Sequence, residues 1–553
     1  MKKILFIIVT NYSFSNSLNY AKLQVENIIH TENQKKIYHK LYDKNKDISL
    51  YTPLKYYNTQ KKQTSGKCFK IDNIDTSDIK IIDIKNIVQR YNHRCLSIKD
   101  IINLTNEINN IYIKKYYITS RAYIKQQDLS KGNLKISAIE GKVDKILSQS
   151  INPKLVFIGY NNSILNLRDL ESRIEQLNRL QSLKVTMKLI PSKKVGYSDI
   201  LLLAKKIRSP FHGSIGVNNF GNKKNGKYNI SLSAGYDNPF NLNDLIEISL
   251  NTTNKRTSEH KSQTYSISYS IPIGKSYVSL SYSKMTYSQL VDALIKSYKA
   301  NGESKNISLS VEYKLFHTKN SRGKLNFSLT HSNNKNFLAG EFLKTSSTIS
   351  TIFTIGYTYK YSSIKNWDIS STLQYHRGLK LFGATTRTKL KPTFNKFTLD
   401  LILNKKFIIN KNSNIVINSA MHAQYANKNI LSSQFIGIGG VYSVRGFESE
   451  AQLSGNKGFY IRNDLAYNFY INSLLLSPYI SYDYGRVSKS KRNYGGHISS
   501  WTLGLRANYK DFNLDMFYSK PISDSNKITY QENGDPIIHK NRGKFEFKLS
   551  YNF

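Results

Sequence analysis

The residues with the strongest chemical signal lie late in this 553-residue chain. Gly437-Ile438-Gly439-Gly440-Val441-Tyr442-Ser443-Val444-Arg445-Gly446-Phe447 is too long and too glycine-rich for a hairpin turn, and it sets an arginine on a tight turn. A glycine-rich loop can cradle phosphate, but such loops follow a buried parallel strand and open a helix. Here the flanking residues 415–423 and 459–470 both read as strands. Downstream lies Tyr482-Asp483-Tyr484-Gly485. Ile480, Tyr482 and Tyr484 share one face of that strand, so Ser481, Asp483 and Gly485 share the other. Catalytic chemistry finds little footing. The 11 histidines are scattered, and there is no serine nucleophile elbow, no His-Glu-x-x-His and no Cys/His metal spacing. Glu448 and Glu450 are loop acids, normally solvated, and receive no chemical role. The sequence therefore names no catalytic residue, metal ligand or cofactor.

The other reactive pair is Cys68 and Cys95, the two cysteines of the chain. Met1-Lys2-Lys3 followed by Ile4-Leu5-Phe6-Ile7-Ile8-Val9 reads as a secretory signal, residues 1–17. Ser15 and Ser17 offer a cleavage site that puts the mature start near Leu18. Export permits disulfides, and an even pair favours one bridge over two free thiols.

The apolar run at residues 4–9 is far too short to cross a bilayer as a helix, which needs ~20 residues. A membrane role must then rest on a closed barrel, whose alternating strands hide from hydropathy; the mean hydropathy of -0.45 is low for a helical membrane protein. Forty Tyr against 2 Trp suits strands and the membrane–water boundary. The excess of 81 basic over 37 acidic residues suggests nucleic acid at first sight. The lysines are dispersed, however, with no dense arm and no nucleic-acid module, so no nucleic-acid partner is expected. Contact of exposed loops with anionic lipid headgroups is the milder reading.

Along the chain, residues 18–45 form a polar amphipathic helix with Leu23, Ile28, Ile29, Ile37 and Leu41 on a loose stripe, and a linker covers 46–66. Residues 67–146 then run strand, helix, helix, strand, strand, with Ser97 and Asp100 as a capping box and Gly132 turning between strands at 116–125 and 133–146. Residues 147–206 repeat the theme: a strand at 155–158, a helix capped by Asn166, and strands at 183–189 and 197–203. Both are small α+β modules. From Pro210 onward period two takes over, as in Tyr228, Ile230, Leu232, Ala234 and Tyr236 against Asn229, Ser231, Ser233 and Gly235. The chain closes on Phe545, Phe547, Leu549, Tyr551 and Phe553. Strands of ~9–11 residues with Tyr at their ends fit tilted bilayer crossings. Residues 207–553 hold about sixteen strands at ~20 residues per strand and loop. The expected fold is mainly β: a transmembrane antiparallel barrel preceded by a helix and two α+β modules.

Val444-Arg445-Gly446-Phe447 resembles the signature of the inward-folded loop in two-partner secretion outer-membrane transporters, exporters of haemolysins, filamentous adhesins and contact-dependent toxins. Tyr482-Asp483-Tyr484-Gly485 resembles their barrel-wall motif. The resemblance implies that Arg445, in a loop at about 426–456, pairs with Asp483 on the wall beside Gly485. It makes 18–45 a plug helix, 67–146 and 147–206 periplasmic POTRA domains (with Cys68, Cys95, the run Gln127–Gly132, Leu167–Glu171 and Asn178–Leu180), and Asp237–Phe240 an early barrel turn. Tyr551 and Phe553 resemble the terminal signal read by the barrel assembly machinery. The implied partners are a large, repeat-rich secreted protein and outer-membrane lipid, including lipopolysaccharide, in a Gram-negative outer membrane. Competing readings are an assembly insertase of the same superfamily, a passive porin and a membrane-embedded hydrolase.

Overall fold

The computed structural model describes Tyr57 and residues 68–553, apart from 222–225, 256, 258, 293–296, 319, 364–365, 387–390, 428–429, 448–452, 490–494, 525–527, 531–535 and 539–542. The signal, the plug helix, most of the linker, and Glu448 and Glu450 therefore lie outside the described residues.

In the first module, helices α1 (Lys85–Tyr91) and α2 (Ile98–Lys114) pack on short strands. Ser97 caps α2: its hydroxyl accepts from the Asp100 N–H at 3.3 Å, and the Asp100 carboxylate accepts from the Ser97 N–H at 2.9 Å. Ile101, Leu104, Ile108 and Tyr112 then recur on one face and meet Ile71, Leu96, Leu134 and Ile136 in the core. Strand Cys68–Ile71 pairs antiparallel with Arg94–Ser97, which brings Cys68 and Cys95 into a disulfide with a Cα–Cα distance of 5.3 Å.

Three expected strands differ. Within 116–125 only Arg121–Tyr123 is a strand. The chain first closes the end of α2, with Tyr116 in the left-handed region and the Tyr117 N–H donating back to Tyr112 O. Residues 133–146 break into Asn133–Lys135, Ser137–Ile139 and Lys142–Ser148, because each pairs with a different neighbour, the last with strand Tyr197–Lys206 of the second module. Residues 155–158 form turns, and the Arg173 guanidinium takes the Val156 carbonyl that a strand partner would need. Around them, helix α3 (Leu167–Leu177) packs Leu170, Ile174 and Leu177 on the sheet Lys142–Ser148, Tyr197–Lys206, Leu183–Pro191.

The rest is one closed antiparallel barrel of 16 strands. They are β1 (Phe211–Asn218), β2 (Asn229–Asp237), β3 (Leu245–Thr253), β4 (Lys261–Ile273), β5 (Ser276–Asp292), β6 (Ser297–His317), β7 (Ser321–Leu338), β8 (Thr348–Ser362), β9 (Trp367–Leu379), β10 (Asn395–Ile408), β11 (Ser413–Ala426), β12 (Gly458–Ile471), β13 (Leu474–Val487), β14 (Gly496–Tyr509), β15 (Phe512–Asp524) and β16 (Lys544–Asn552). The pleat sends Leu232, Leu309, Leu373, Ile480 and Leu503 outward and exposed, while Ser, Thr and Asn line the interior. Several strands exceed the expected length, β6 reaching 21 residues. They extend furthest on the side away from the two modules.

Closure is made by the shortest ladder, Ser214↔Asn552 to Asn218↔Lys548 between β1 and β16. The Asn219 side chain prolongs it, donating to Phe545 O at 3.0 Å and accepting from the Phe547 N–H at 2.8 Å. At the opposite end Phe553 exchanges backbone hydrogen bonds with Gly213, and its ring meets Phe211 at 5.8 Å; Tyr551 pairs across with Ile215 and Phe512.

Candidate functional site: an arginine-tipped loop inside the barrel

Between β11 and β12 the chain turns back into the lumen. Its stem is a small hairpin, Ile436–Ile438 against Leu453–Gly455. Ile436, Ile438, Val444, Phe447 and Leu453 pack on the inward-facing Tyr460, Val487 and Ile498 of the wall. This apolar footing is unusual in a polar lumen, and it gives the loop a fixed seat. Val444 and Phe447 therefore serve as anchors.

Arg445 sits between these anchors at 1% exposure, the largest fully buried side chain among the described residues. Its Nε donates to Asp483 Oδ2 and its Nη2 to Asp483 Oδ1, both at 2.7 Å, and its backbone N–H adds a third bond at 3.1 Å. Such a two-pronged guanidinium–carboxylate contact fixes orientation as well as position. Nη2 also reaches Asp464 Oδ1 on β12 at 2.8 Å. Asp464 is held by Ser481 Oγ at 2.7 Å and by Arg506 Nη2 at 2.5 Å. Arg506 stacks over Tyr479 at 3.9 Å, and Tyr479 donates to Asp515 at 3.0 Å. The loop arginine thus plugs into a charged network spanning four wall strands.

Two glycines make the seat possible. Gly446 has φ +85°, in the left-handed region, with the Ser519 backbone 3.1 Å from where a Cβ would stand. At Gly485 a Cβ would meet Val444 Cγ2 at 3.0 Å and Ile438 Cγ2 at 3.2 Å. The wall is bare there because the loop needs the space.

The structure thus brings together Val444, Arg445, Gly446, Phe447, Asp483 and Gly485, which the sequence had singled out. Asp464 and Arg506 were missed. Phe459, Ile461 and Leu465 point outward, so the same alternation that marked Asp483 puts Asp464 in the lumen; the signal was present but no motif drew attention to it.

A second set of contacts joins the second module to the barrel rim. Arg179 donates to Asn243 O at 2.6 Å and Tyr277 Oη at 3.1 Å, and lies over the Tyr277 ring. Asp237 accepts from the Ser182 N–H at 2.7 Å, and Asn243 donates to Asn152 O at 2.6 Å. From α3, Asp169 pairs with Lys275 at 2.6 Å and Glu175 with Lys314 at 2.9 Å. Burial alone would raise the Glu175 carboxyl, but Lys314, His317, Arg322 and Lys324 hold it well below the usual carboxylate range.

Residues 69–141 match the ShlB-type POTRA domain and 135–191 a further POTRA domain. The outer membrane transporter CdiB of Dickeya dadantii is 29% identical over 413 residues, 72% of each chain. The hemolysin transporter protein HpmB of Proteus mirabilis is 27% identical over 470 residues, 82% of each chain. The solved structure of CdiB from Escherichia coli superposes with a TM-score of 0.80 at 23% identity, covering 96% of this chain and 98% of that one. Residues 196–507, more than half of the chain, match the haemolysin secretion/activation protein ShlB/FhaC/HecB family. The chain therefore belongs to that family, and is a two-partner secretion transporter of the outer membrane with its POTRA domains on the periplasmic side.

Proposed function

We propose that this chain secretes a large, repeat-rich exoprotein, received unfolded in the periplasm, and that the Arg445 loop must leave its seat for that protein to pass. The observation that carries this reading is the full burial of Arg445 between Asp483 and Asp464 inside a closed barrel. A charged group held so firmly in a polar lumen sets a position more than it adds stability. The POTRA sheets offer edges, such as Leu183–Pro191, to which extended chain adds by backbone hydrogen bonds with little sequence demand. The hemolysin transporter name of the Proteus mirabilis relative supports a haemolysin-like partner.

The remaining assignments are part of the same proposal: residues 1–17 as signal, 18–45 as plug helix beside the loop, 67–146 and 147–206 as partner-binding modules, and no catalytic step. Tyr551 and Phe553 on the closing strand serve as the signal for the barrel assembly machinery. The outward face contacts outer-membrane lipid, including lipopolysaccharide. The test is export: with Arg445→Ala, the barrel should still insert and shift on unboiled gels while partner in the culture supernatant falls sharply. Undiminished export would refute the role given to the loop.

A further inference from the structure

On the outward face of β5–β7, apolar residues give way to charge at one height. Along β6 from the periplasmic rim, Leu315, Tyr313, Val311, Leu309 and Ile307 point outward, and Lys305 and Glu303 follow. On β5, Val278, Leu280 and Tyr282 precede Lys284; on β7, Leu325, Phe327 and Leu329 are followed by the polar His331 and Asn333 and then Lys335. Leu315 to Lys305 is ten steps of strand, about 26 Å at ~3.4 Å per residue and ~40° tilt. That matches the ~25 Å apolar band of such barrels, so the charges stand where hydrocarbon ends at the cell exterior.

The ladder makes this cluster specific. Lys284 lies directly opposite Lys305, and Glu303 directly opposite Lys335. Glu303 bonds Lys284 and Lys305 at 2.9 Å each, one carboxylate serving two ammonium groups with a third lysine across from it. Like charges facing across strands are destabilising, and three lysines on one carboxylate leave an excess of positive charge. The inward residues at this height offer no compensating anion and are neutral and paired: Ser304 with Asn334 at 2.6 Å, Tyr287 with Asn336 at 3.0 Å. The cluster does not line the pore. It faces the headgroups of the outer leaflet.

We propose that Lys284, Lys305 and Lys335 bind a phosphate of a phosphorylated glycolipid, lipopolysaccharide in this membrane, which competes with Glu303 for the Lys284 and Lys305 ammonium groups. This deepens the lipid contact proposed above by naming its site. The phosphate supplies the anion that Glu303 alone cannot.

The test is binding of bisphosphorylated lipid A to the full-length protein in detergent, read by native mass spectrometry. Wild type should retain it. Lys284→Gln/Lys305→Gln/Lys335→Gln should bind roughly fivefold more weakly per lysine removed, on the order of a hundredfold in all. Glu303→Gln removes an internal competitor and should bind more tightly. Lipid A stripped of its phosphates should bind wild type no better than the triple variant. Equal retention by wild type and both variants overturns the site but spares a general lipid contact; no retention by wild type overturns both. Competition by equimolar inorganic phosphate would overturn the lipid assignment. Should the triple variant lose its heat-modifiable gel shift, Glu303→Gln decides: tighter binding supports the site, and unchanged or weaker binding refutes it.

Discussion

Replacing Asp483 by Asn keeps the shape of the wall residue but removes its charge. Arg445 then loses two charge-assisted bonds of 2.7 Å. Removing one partner of a buried ion pair costs about 3–5 kcal/mol. Asp464 still accepts from Arg445 at 2.8 Å, which puts the cost at the low end, about 3 kcal/mol, or roughly 150-fold in the balance between seated and released loop. A cysteine placed at Val441, half-buried in the loop, reports that balance cleanly, because both native cysteines are locked in a disulfide. Its reaction rate with a membrane-impermeant maleimide added to intact cells follows the released population. Asp483→Asn should raise that rate by about two orders of magnitude. Arg445→Ala should add little on top of it, since each variant removes the same contact. A labelling rate within twofold of the parent would refute the idea that this pair holds the loop.

Other perturbations probe the supports around it. Gly485→Ala pushes a methyl group to 3.0 Å from Val444; overpacking of this kind costs about 1–3 kcal/mol and should raise Val441 labelling with Asp483 intact. Cys68→Ala/Cys95→Ala opens a loop closed across 27 positions, costing the first module about 3.5 kcal/mol in the chain-entropy model; limited proteolysis should nick it at lower urea while the barrel stays resistant. The Glu175 carboxyl is depressed by Lys314 and its neighbours when the second module is docked. Docking is therefore fully supported above ~4.3, the ordinary Glu value, and weakens as pH falls below it. Cross-linking between α3 and the barrel rim should decline there, and Glu175→Gln should weaken that pH dependence, with Asp169 and Asp237 supplying the remainder.

The barrel was legible because burying one face of a strand imposes period two, and runs such as Ile230–Tyr236 carry it without interruption. Asp483 was legible for the same reason, and its link to Arg445 came from a resemblance to known loop and wall motifs. The small modules were harder to read. Their short strands, such as Arg121–Tyr123, depend on where α2 ends and which neighbour is free, and both are tertiary facts. The overhang of β5–β7 also escaped notice, since alternation continues through Glu303 and Lys305 with no change of period. Docking residues such as Glu175 look like any solvated helix acid until the partner surface is known. Local pattern thus revealed the elements, and only the assembled barrel revealed Asp464 and Arg506 as the second half of the arginine's seat.

The most direct test is to forbid the loop from moving. A Cβ at Gly485 would stand 3.0 Å from Val444 Cγ2, close enough for Val444→Cys/Gly485→Cys to form a disulfide across loop and wall. Oxidised cells should hold the partner protein in the periplasm, and mild reductant should restore its appearance in the medium, with wild type unaffected by the same treatment. Export at the wild-type rate through the locked barrel would contradict the account.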